Sequence, residues 1–172
     1  MKWIVITGAE SSGKSTLTGQ LSKVFAGMGV FEYARDYVER LKRPYQQKDV
    51  ETVAKRQLYF ACKIRKDHAN SDIFVFFDTF LIVTKIWLEE VYHNSPIWLN
   101  QAIIDNKPDL VLLCEPDLEW QADGVRENSD KRDYLFHRYR KELEYYQIPY
   151  SIVNGKGDKR LQLAVQSIHN KF

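Results

Sequence analysis

The fold is decided by residues 3–17, which read Trp3-Ile4-Val5-Ile6-Thr7-Gly8-Ala9-Glu10-Ser11-Ser12-Gly13-Lys14-Ser15-Thr16-Leu17. The apolar run at the start of this stretch predicts a short buried strand. The segment from Gly8 to Ser15 fits the pattern Gly-x-x-x-x-Gly-Lys-Ser/Thr at every required position. Residues 14–28 then carry apolar side chains at helical spacing. The sequence therefore predicts a strand, a glycine-rich loop and a helix in succession.

This glycine-rich loop is predicted to bind phosphate, as a P-loop does. Gly8 and Gly13 let the backbone wrap closely and turn its amide N–H groups toward phosphate oxygens. The following helix adds its positive dipole end. We expect Lys14 to bridge the β- and γ-phosphates of ATP and the Ser15 hydroxyl to ligate Mg²⁺. The predicted nucleotide-binding residues of the loop are Gly8, Glu10, Ser11, Ser12, Gly13, Lys14, Ser15 and Thr16.

The bulk composition is that of one globular domain. The chain has 172 residues, 44% hydrophobic and 28% charged, without a repeat or a linker, so we predict a single domain over residues 1–172. A net charge of +2 does not argue for a nucleic-acid or membrane partner. There is no secretory h-region and no apolar run of about 20 residues. We therefore expect a cytoplasmic protein, and the sequence leaves homo-oligomers open.

Short apolar runs alternate with helical patterns along the whole chain. Strands are predicted at residues 3–7, 29–33, 73–77, 110–114 and 150–153, and helices at 14–28, 49–69, 80–91, 96–106, 131–146 and 158–169. This alternation predicts a three-layer α/β fold, with a mostly parallel five-stranded sheet covered by helices on both faces. The strand C-termini would share one edge, which is where open α/β sheets bind ligands. The residues that this arrangement brings to the edge are Gly8, Glu32, Asp78, Glu115 and Asn154.

Carboxylates follow two of these predicted strands. Glu32 is our first choice for the base that accepts a proton from an attacking hydroxyl, and Asp36 the second. Asp36 could instead bind ribose hydroxyls or cap a helix, and the segment could form only a surface ion pair with Arg35. Asp78 occupies the Walker B position and is expected to hold Mg²⁺ or touch the acceptor. Helix capping by Asp78 is the alternative.

A polar stretch between the fourth strand and the charged helix predicts a lid at about residues 117–132. Arg126 and Arg132 in this stretch are expected to reach the transferring phosphoryl group, although charged runs are usually only solvated faces. The turn that begins at Asn154 could lie against adenine with Arg160 nearby, or be a plain turn. Among the aromatic residues, Trp87 and Trp120 are the best placed to contact a ligand.

Taken together, several segments resemble the ribosylnicotinamide kinase domain of NadR-type proteins. They are residues 8–17, Glu32-Tyr33-Ala34-Arg35, Asp78-Thr79, Lys85-Ile86-Trp87, Pro116-Asp117, Trp120 and Asp123-Gly124-Val125-Arg126. The resemblance covers nearly the whole chain in one order. It implies a P-loop kinase that uses ATP and Mg²⁺ to phosphorylate the 5′-hydroxyl of nicotinamide riboside, a step of NAD salvage. The chain carries no adenylyltransferase signature, so we expect neither adenylyltransferase activity nor a repressor function.

The positively charged pyridinium ring of this substrate favours a pocket with aromatic faces and carboxylates. The predicted substrate contacts are Glu32, Tyr33, Arg35, Asp36, Trp87 and Trp120. The sequence leaves two alternative functions open. One is a kinase of another nucleoside or nucleotide. The other is a regulatory ATP-binding module without an acceptor, which would need neither lid arginines nor an acceptor base.

Overall fold

A single parallel sheet forms the centre of the computed structural model, which describes residues 1–121 and 130–172. Its strands are β1 (Lys2–Gly8), β2 (Met28–Val30), β3 (Phe74–Asp78), β4 (Leu110–Cys114) and β5 (Tyr150–Val153). Their order is β2-β3-β1-β4-β5, and every pairing is parallel. The predicted α/β class and five-stranded sheet are confirmed.

Within the described ranges, seven helices surround this sheet. They are α1 (Lys14–Val24), α2 (Tyr33–Arg40), α3 (Gln47–Asp67), α4 (Leu81–Tyr92), α5 (Ile97–Asp105), α6 (Arg132–Tyr145) and α7 (Asp158–Lys171). Six correspond to predicted helices, and α2 was not predicted. In this part of the chain, no helix combines the length and the apolar character needed to cross a bilayer.

The sheet is buried on both faces because each strand alternates its side chains between two cores. On β1, Trp3 and Val5 point into a core that α3, α4, α5 and α6 complete. Ile4 and Ile6 point into a second core, which α1 and α7 complete. A strand that is apolar at successive positions is stable only between two helical layers. This is the three-layer arrangement that the apolar strands predicted.

The first crossover differs from the prediction at both ends. Helix α1 was expected to reach residue 28, but it ends at Val24 because Ala26 adopts φ +46°. The Gly27 N–H then bonds the Ser22 carbonyl at 2.8 Å, which closes the helix with a Schellman turn. A side chain on Gly27 would put a Cβ 2.6 Å from the Phe74 carbonyl oxygen, so only glycine fits there.

The second strand is also shorter than predicted. It was expected over residues 29–33, but β2 ends at Val30, and residues 33–40 form helix α2 instead. This helix buries none of its residues fully, and its ends carry no side-chain cap. It is only eight residues long and begins without a side-chain cap, so the sequence carried little signal for it.

Candidate active site

A cleft of about 530 Å³ opens at the C-terminal edge of the sheet. One end, here called the P-loop end, is formed by Gly8 and residues 10–16. The other end, called the aromatic end, is formed by Val38, Tyr45, Trp87, Glu90 and Val91. The volume lies in the range of sites that bind small molecules.

The P-loop end owes its shape to three residues with positive φ. They are Gly8 at +146°, Ser11 at +54° and Gly13 at +77°. A Cβ on Gly8 would lie 2.6 Å from the Cys114 carbonyl oxygen, so the close approach of β1 to β4 requires glycine. Gly13 is the residue that precedes α1, and the loop therefore leads directly into the positive end of that helix. The strand, loop and helix lie as residues 3–17 predicted.

Lys14 is half-buried and lies over the loop that precedes it. Its ammonium group donates to the Ala9 carbonyl at 2.9 Å, and the hydroxyl of the buried Ser12 donates to the same oxygen at 2.7 Å. Ser15 and Thr16 are exposed to the cleft. The arrangement brings an ammonium group, hydroxyls and the start of a helix together around a space that an anion could fill.

Asp78 lies at the end of β3, opposite Ile6 of β1. It is 2% exposed, and neither carboxylate oxygen has a hydrogen-bond partner within residues 1–121 and 130–172. Burial raises the pKa of Asp78, while Lys14, the Ser15 hydroxyl and Arg35 oppose that shift. A buried carboxylate without a partner requires a cation or another group to satisfy it.

This environment fits Mg²⁺, for which we predicted Ser15 and Asp78 as ligands. Mg²⁺ prefers hard oxygen ligands and is usually held by one or two protein groups together with phosphate oxygens and water. The exposed Ser15 hydroxyl and the buried Asp78 carboxylate, next to a phosphate-binding loop, supply such a set. The described residues contain no cluster of three acidic, His or Cys side chains, and this kind of site does not need one.

In the segment from Glu32 to Asp36, some side chains line the cleft and others face solvent. Glu32 and Arg35 line the cleft, and their charged groups lie 3.9 Å apart. The Asp36 side chain is 63% exposed and pairs with Arg40 at 3.9 Å, away from the cleft. The structure therefore does not place Asp36 in the cleft lining, and its role as a second base or a substrate contact stays a prediction. Asp36 lies outside the lining because residues 33–40 are helical, which turns it about 100° away from Arg35.

Tyr33 was also predicted to contact the substrate, and it too lies outside the cleft lining. Its ring packs against Tyr37 and Phe60, with centroid distances of 6.0 and 6.2 Å. Trp120 is likewise not among the lining residues, and its buried indole N–H has no partner in the described ranges. These two placements do not support direct substrate contact by either ring.

The aromatic end contains one predicted residue and one that the sequence did not reveal. Trp87 lines the cleft as expected, and Tyr45 meets it edge to face, with ring centroids 4.9 Å apart. Glu90 accepts a hydrogen bond from the Tyr134 hydroxyl at 2.7 Å, and the Arg138 guanidinium lies 3.6 Å away. Tyr45 lies outside any recognisable motif, so only its tertiary position identifies it.

Three carboxylates give part of this cleft a negative character. Tyr139 is buried and lines the cleft, and its pKa is raised first by burial and then by Glu32, Glu10 and Glu90. Glu10 lies on the P-loop, Glu32 just before α2 and Glu90 on α4, and all three line the cleft. The same cleft is also lined by Lys14, Arg35, Arg43 and Lys131, so the three carboxylates favour a cationic ligand only where they lie nearest to it.

A buried carboxylate fixes the loop that presents Tyr45. Asp49 on α3 accepts from two nitrogens of Arg43 at 2.7 and 2.9 Å, from the Tyr37 hydroxyl at 3.0 Å and from the Gln46 N–H at 2.7 Å. Hydrogen bonds from Arg43 hold the pKa of Asp49 well below its ordinary value. Gln46 and Asp49 also form a capping box at the start of α3.

A second ion network holds α4, which carries Trp87 and Glu90, against α6. The buried Lys85 contacts Glu89 at 2.6 Å and Glu142 of α6 at 3.0 Å, and Arg138 contacts Glu89 at 2.8 Å. Removing one partner of such a buried pair leaves an uncompensated charge, which is costly. The network therefore fixes one wall of the aromatic end.

The predicted lid is only partly described. Arg126 lies among residues 122–129, outside the described residues. The Arg132 guanidinium donates to the carbonyls of Glu10 at 3.1 Å, Leu118 at 2.8 Å and Ser11 at 3.4 Å. In this arrangement it holds the outside of the P-loop and does not point into the cleft.

Asn154 and Arg160, predicted near adenine, do not line the cleft. Arg160 is buried beneath the P-loop and donates to the Ser12 carbonyl at 2.6 Å. Its guanidinium therefore contacts the loop itself, and the structure does not support direct contact with a nucleotide. Contact by Asn154 stays a prediction.

Comparison with known proteins identifies a family and several relatives of this chain. Residues 3–160 match AAA_28, described as an AAA domain. The trifunctional NAD biosynthesis/regulator protein NadR of Salmonella typhimurium (strain LT2) is 34% identical over 134 residues, which cover 73% of this chain and 31% of the relative. The chain thus spans about a third of that relative's length.

Two solved structures of NadR protein share the fold. The complex with NR has a TM-score of 0.81 at 23% identity and covers 99% of this chain and 51% of that chain. The complex with NAD and AMP-PNP has a TM-score of 0.74 at 23% identity and covers 99% and 49%. At this identity the likeness shows the fold alone.

Proposed function

The chain belongs to the AAA_28 family of AAA domains, and from that premise we propose that it is an ATP-dependent kinase of nicotinamide riboside. The product would be nicotinamide mononucleotide, a precursor of NAD. The observation that carries the proposal is one cleft that joins a P-loop to an end with aromatic rings and carboxylates. The 34% identity to a protein named for NAD biosynthesis and the fold shared with NadR bound to NR support the same reaction.

ATP would bind with its phosphates at the P-loop end. The amides of residues 10–16 and the start of α1 suit an anion, and Lys14 would leave the Ala9 carbonyl to meet the β- and γ-phosphates. The nucleotide-binding residues that we propose here are Gly8, Glu10, Ser11, Ser12, Gly13, Lys14, Ser15 and Thr16. The fold shared with NadR bound to AMP-PNP supports an adenine nucleotide.

Nicotinamide riboside would bind toward the aromatic end. Its pyridinium ring carries a positive charge, which the faces of Trp87 and Tyr45 attract through cation–π interactions. Glu10, Glu32 and Glu90 add Coulomb attraction. A neutral nucleoside would not gain the cation–π attraction, so the aromatic faces of Trp87 and Tyr45 favour the cationic acceptor.

The transfer itself is a displacement at the γ-phosphorus. The 5′-hydroxyl oxygen of the riboside forms a bond to phosphorus while the bond from phosphorus to the bridging oxygen of ADP breaks, and Glu32 accepts the hydroxyl proton. Arg35, which lies near both Glu32 and Asp78, would stabilise negative charge on the phosphoryl oxygens. Positioning and charge stabilisation account for most of the catalysis in this kind of reaction.

Ser15 and Asp78 would hold Mg²⁺, which neutralises charge on the β- and γ-phosphates when bound. The Asp78 carboxylate is buried close to Ser15 and Lys14, and neither of its oxygens makes a hydrogen bond of normal geometry among the described residues, which supports this assignment. Arg126 and Arg132 stay proposed catalytic residues. Arg132 would first have to release the carbonyls of Glu10 and Ser11.

The location and partners that we propose follow from the same chemistry. ATP and the riboside are small molecules, so the reaction needs neither a nucleic acid nor a membrane partner. We propose that the protein acts in the cytoplasm, as one domain over residues 1–172.

The experiment that tests this function compares acceptors. Purified protein with ATP and Mg²⁺ is offered nicotinamide riboside, thymidine, deoxycytidine or a nucleoside monophosphate, with ADP release followed and products identified by mass spectrometry. We expect kcat/KM for nicotinamide riboside to exceed that of the neutral nucleosides by about 100-fold or more. Background turnover of nicotinamide riboside beside fast turnover of another acceptor would overturn the substrate assignment. ATP binding without transfer to any acceptor would instead favour a regulatory module.

A further inference from the structure

Side chains hold four successive backbone carbonyls of the P-loop. The Ala9 carbonyl accepts from Lys14 and Ser12, those of Glu10 and Ser11 accept from Arg132, and the Ser12 carbonyl accepts from Arg160. In a trans peptide the carbonyl of one residue and the N–H of the next point in opposite directions. Each bond on the carbonyl side therefore fixes the direction of the next amide, which is the group that would meet phosphate.

Arg160 is the most buried of the charged donors. It lies near the start of α7, is 4% exposed, and bonds the Ser12 carbonyl at 2.6 Å across 148 residues of sequence. It also donates to the Gly155 carbonyl at 2.8 Å and the Glu115 carbonyl at 3.3 Å, and it pairs with Asp117. One guanidinium thus joins the loops that follow β1, β4 and β5.

We propose that Arg160 is a positioning residue for ATP, acting through the peptide between Ser12 and Gly13. By bonding the Ser12 carbonyl, it holds the Gly13 N–H in the direction that a phosphate needs, and its charge polarises that peptide. Only arginine can serve four acceptors at once, because its planar guanidinium carries five donors in a fixed fork. The inference rests on the proposed function in one respect, that the bound nucleotide is ATP.

The test measures ATP affinity without any acceptor. Isothermal titration calorimetry with ATP and Mg²⁺ is carried out on the full chain and on Arg160→Lys and Arg160→Met. We expect the dissociation constant for ATP to be about 10-fold higher in Arg160→Lys and up to about 100-fold higher in Arg160→Met. The KM for the acceptor, measured at saturating ATP, should not change.

A matched control separates positioning from general destabilisation. Ala164→Gly lies on the same helix, is fully buried in the wild type and does not touch the P-loop. It should lower the melting temperature measurably, because glycine destabilises a buried helix position, yet keep the wild-type affinity for ATP. Arg160→Lys keeps the charge, so the test stands even if Arg160→Met does not fold.

Two results would overturn the inference. One is unchanged ATP affinity in Arg160→Lys and in any folded Arg160→Met, and the other is an equal loss of affinity in Ala164→Gly. Its failure is distinct from that of the proposed function. If the wild type binds ATP but phosphorylates no riboside, only the kinase assignment fails. If the Arg160 variants are active and bind ATP normally, only the proposed role of Arg160 fails. A wild type that does not bind ATP would contradict both.

Discussion

The two ends of the cleft are built by different means. The P-loop end comes from one continuous segment, residues 8–16, whose groups are mostly backbone amides and short side chains. The aromatic end combines residues from α2, from the loop before α3 and from α4, which only the tertiary fold brings together. A phosphate can therefore be recognised by a local pattern, whereas the acceptor must be recognised by an assembled surface. Substitutions at the two ends should accordingly affect different substrates.

The largest expected effect is at the P-loop end. Lys14→Met should lower kcat by about 10³-fold or more, because it removes the charge that stabilises the transferring phosphoryl group. The aromatic end should be unaffected, so the affinity for nicotinamide riboside alone, measured by calorimetry, should stay near that of the wild type. Loss of riboside binding in this variant would show that the two ends are not independent.

The second effect concerns the base that lies between the two ends. Glu32→Gln should lower kcat by about 10²-fold or more while ATP affinity stays unchanged, because an amide cannot accept the hydroxyl proton. Asp36→Asn is the matched control, since this carboxylate is exposed and paired with Arg40 outside the cleft. Steady-state kinetics of both variants would decide the assignment. If Asp36→Asn were the slower enzyme, the placement of the base would be wrong.

A smaller effect is expected at the aromatic end. Trp87→Leu should raise KM for nicotinamide riboside by about 10-fold and leave KM for ATP unchanged, because it removes the ring that attracts the pyridinium. Trp98→Leu is the control, since Trp98 lies under Lys55 and outside the cleft lining. Equal KM values for the riboside in the two variants would contradict the assigned end of the cleft.

The smallest effect concerns the support of the aromatic end. The folded pKa of Asp49 lies below its ordinary value of 3.8, chiefly through hydrogen bonds from Arg43, so the carboxylate stabilises the fold above about pH 4. That contribution is lost as the pH falls below 4 toward the folded pKa. Asp49→Asn should therefore melt several degrees lower than the wild type at pH 7, and its melting temperature should fall less steeply between about pH 4 and pH 2. Parallel pH profiles for Asp49→Asn and the wild type would count against this anchoring role.

The sequence predicted most of what depends on local chemistry. Four of the five apolar strands, the parallel sheet, the P-loop and Asp78 at the end of β3 lie where their patterns placed them, and only β2 is displaced and shortened. These features follow from the period of apolar residues and from glycine spacing, and neither needs knowledge of distant contacts.

What the sequence did not predict depends on how segments pack. Helix α2 is short and has no N-terminal side-chain cap, so the sequence did not show that Asp36 would turn outward. Tyr45 reaches the cleft because Asp49 fixes the preceding loop through Arg43, a contact that no motif announces. Arg160 was expected near the nucleotide, yet it binds the P-loop from below, since position alone could not tell which way its guanidinium points.

In the proposed reaction, a phosphoryl group passes from the P-loop end to a riboside at the aromatic end. The most direct test incubates the protein with Mg²⁺, nicotinamide riboside and ATP radiolabelled in its γ-phosphate, and then separates the products. We expect labelled nicotinamide mononucleotide from the wild type and almost none from Lys14→Met. Label that appears only in inorganic phosphate, or equal labelled product from Lys14→Met, would contradict the proposed reaction.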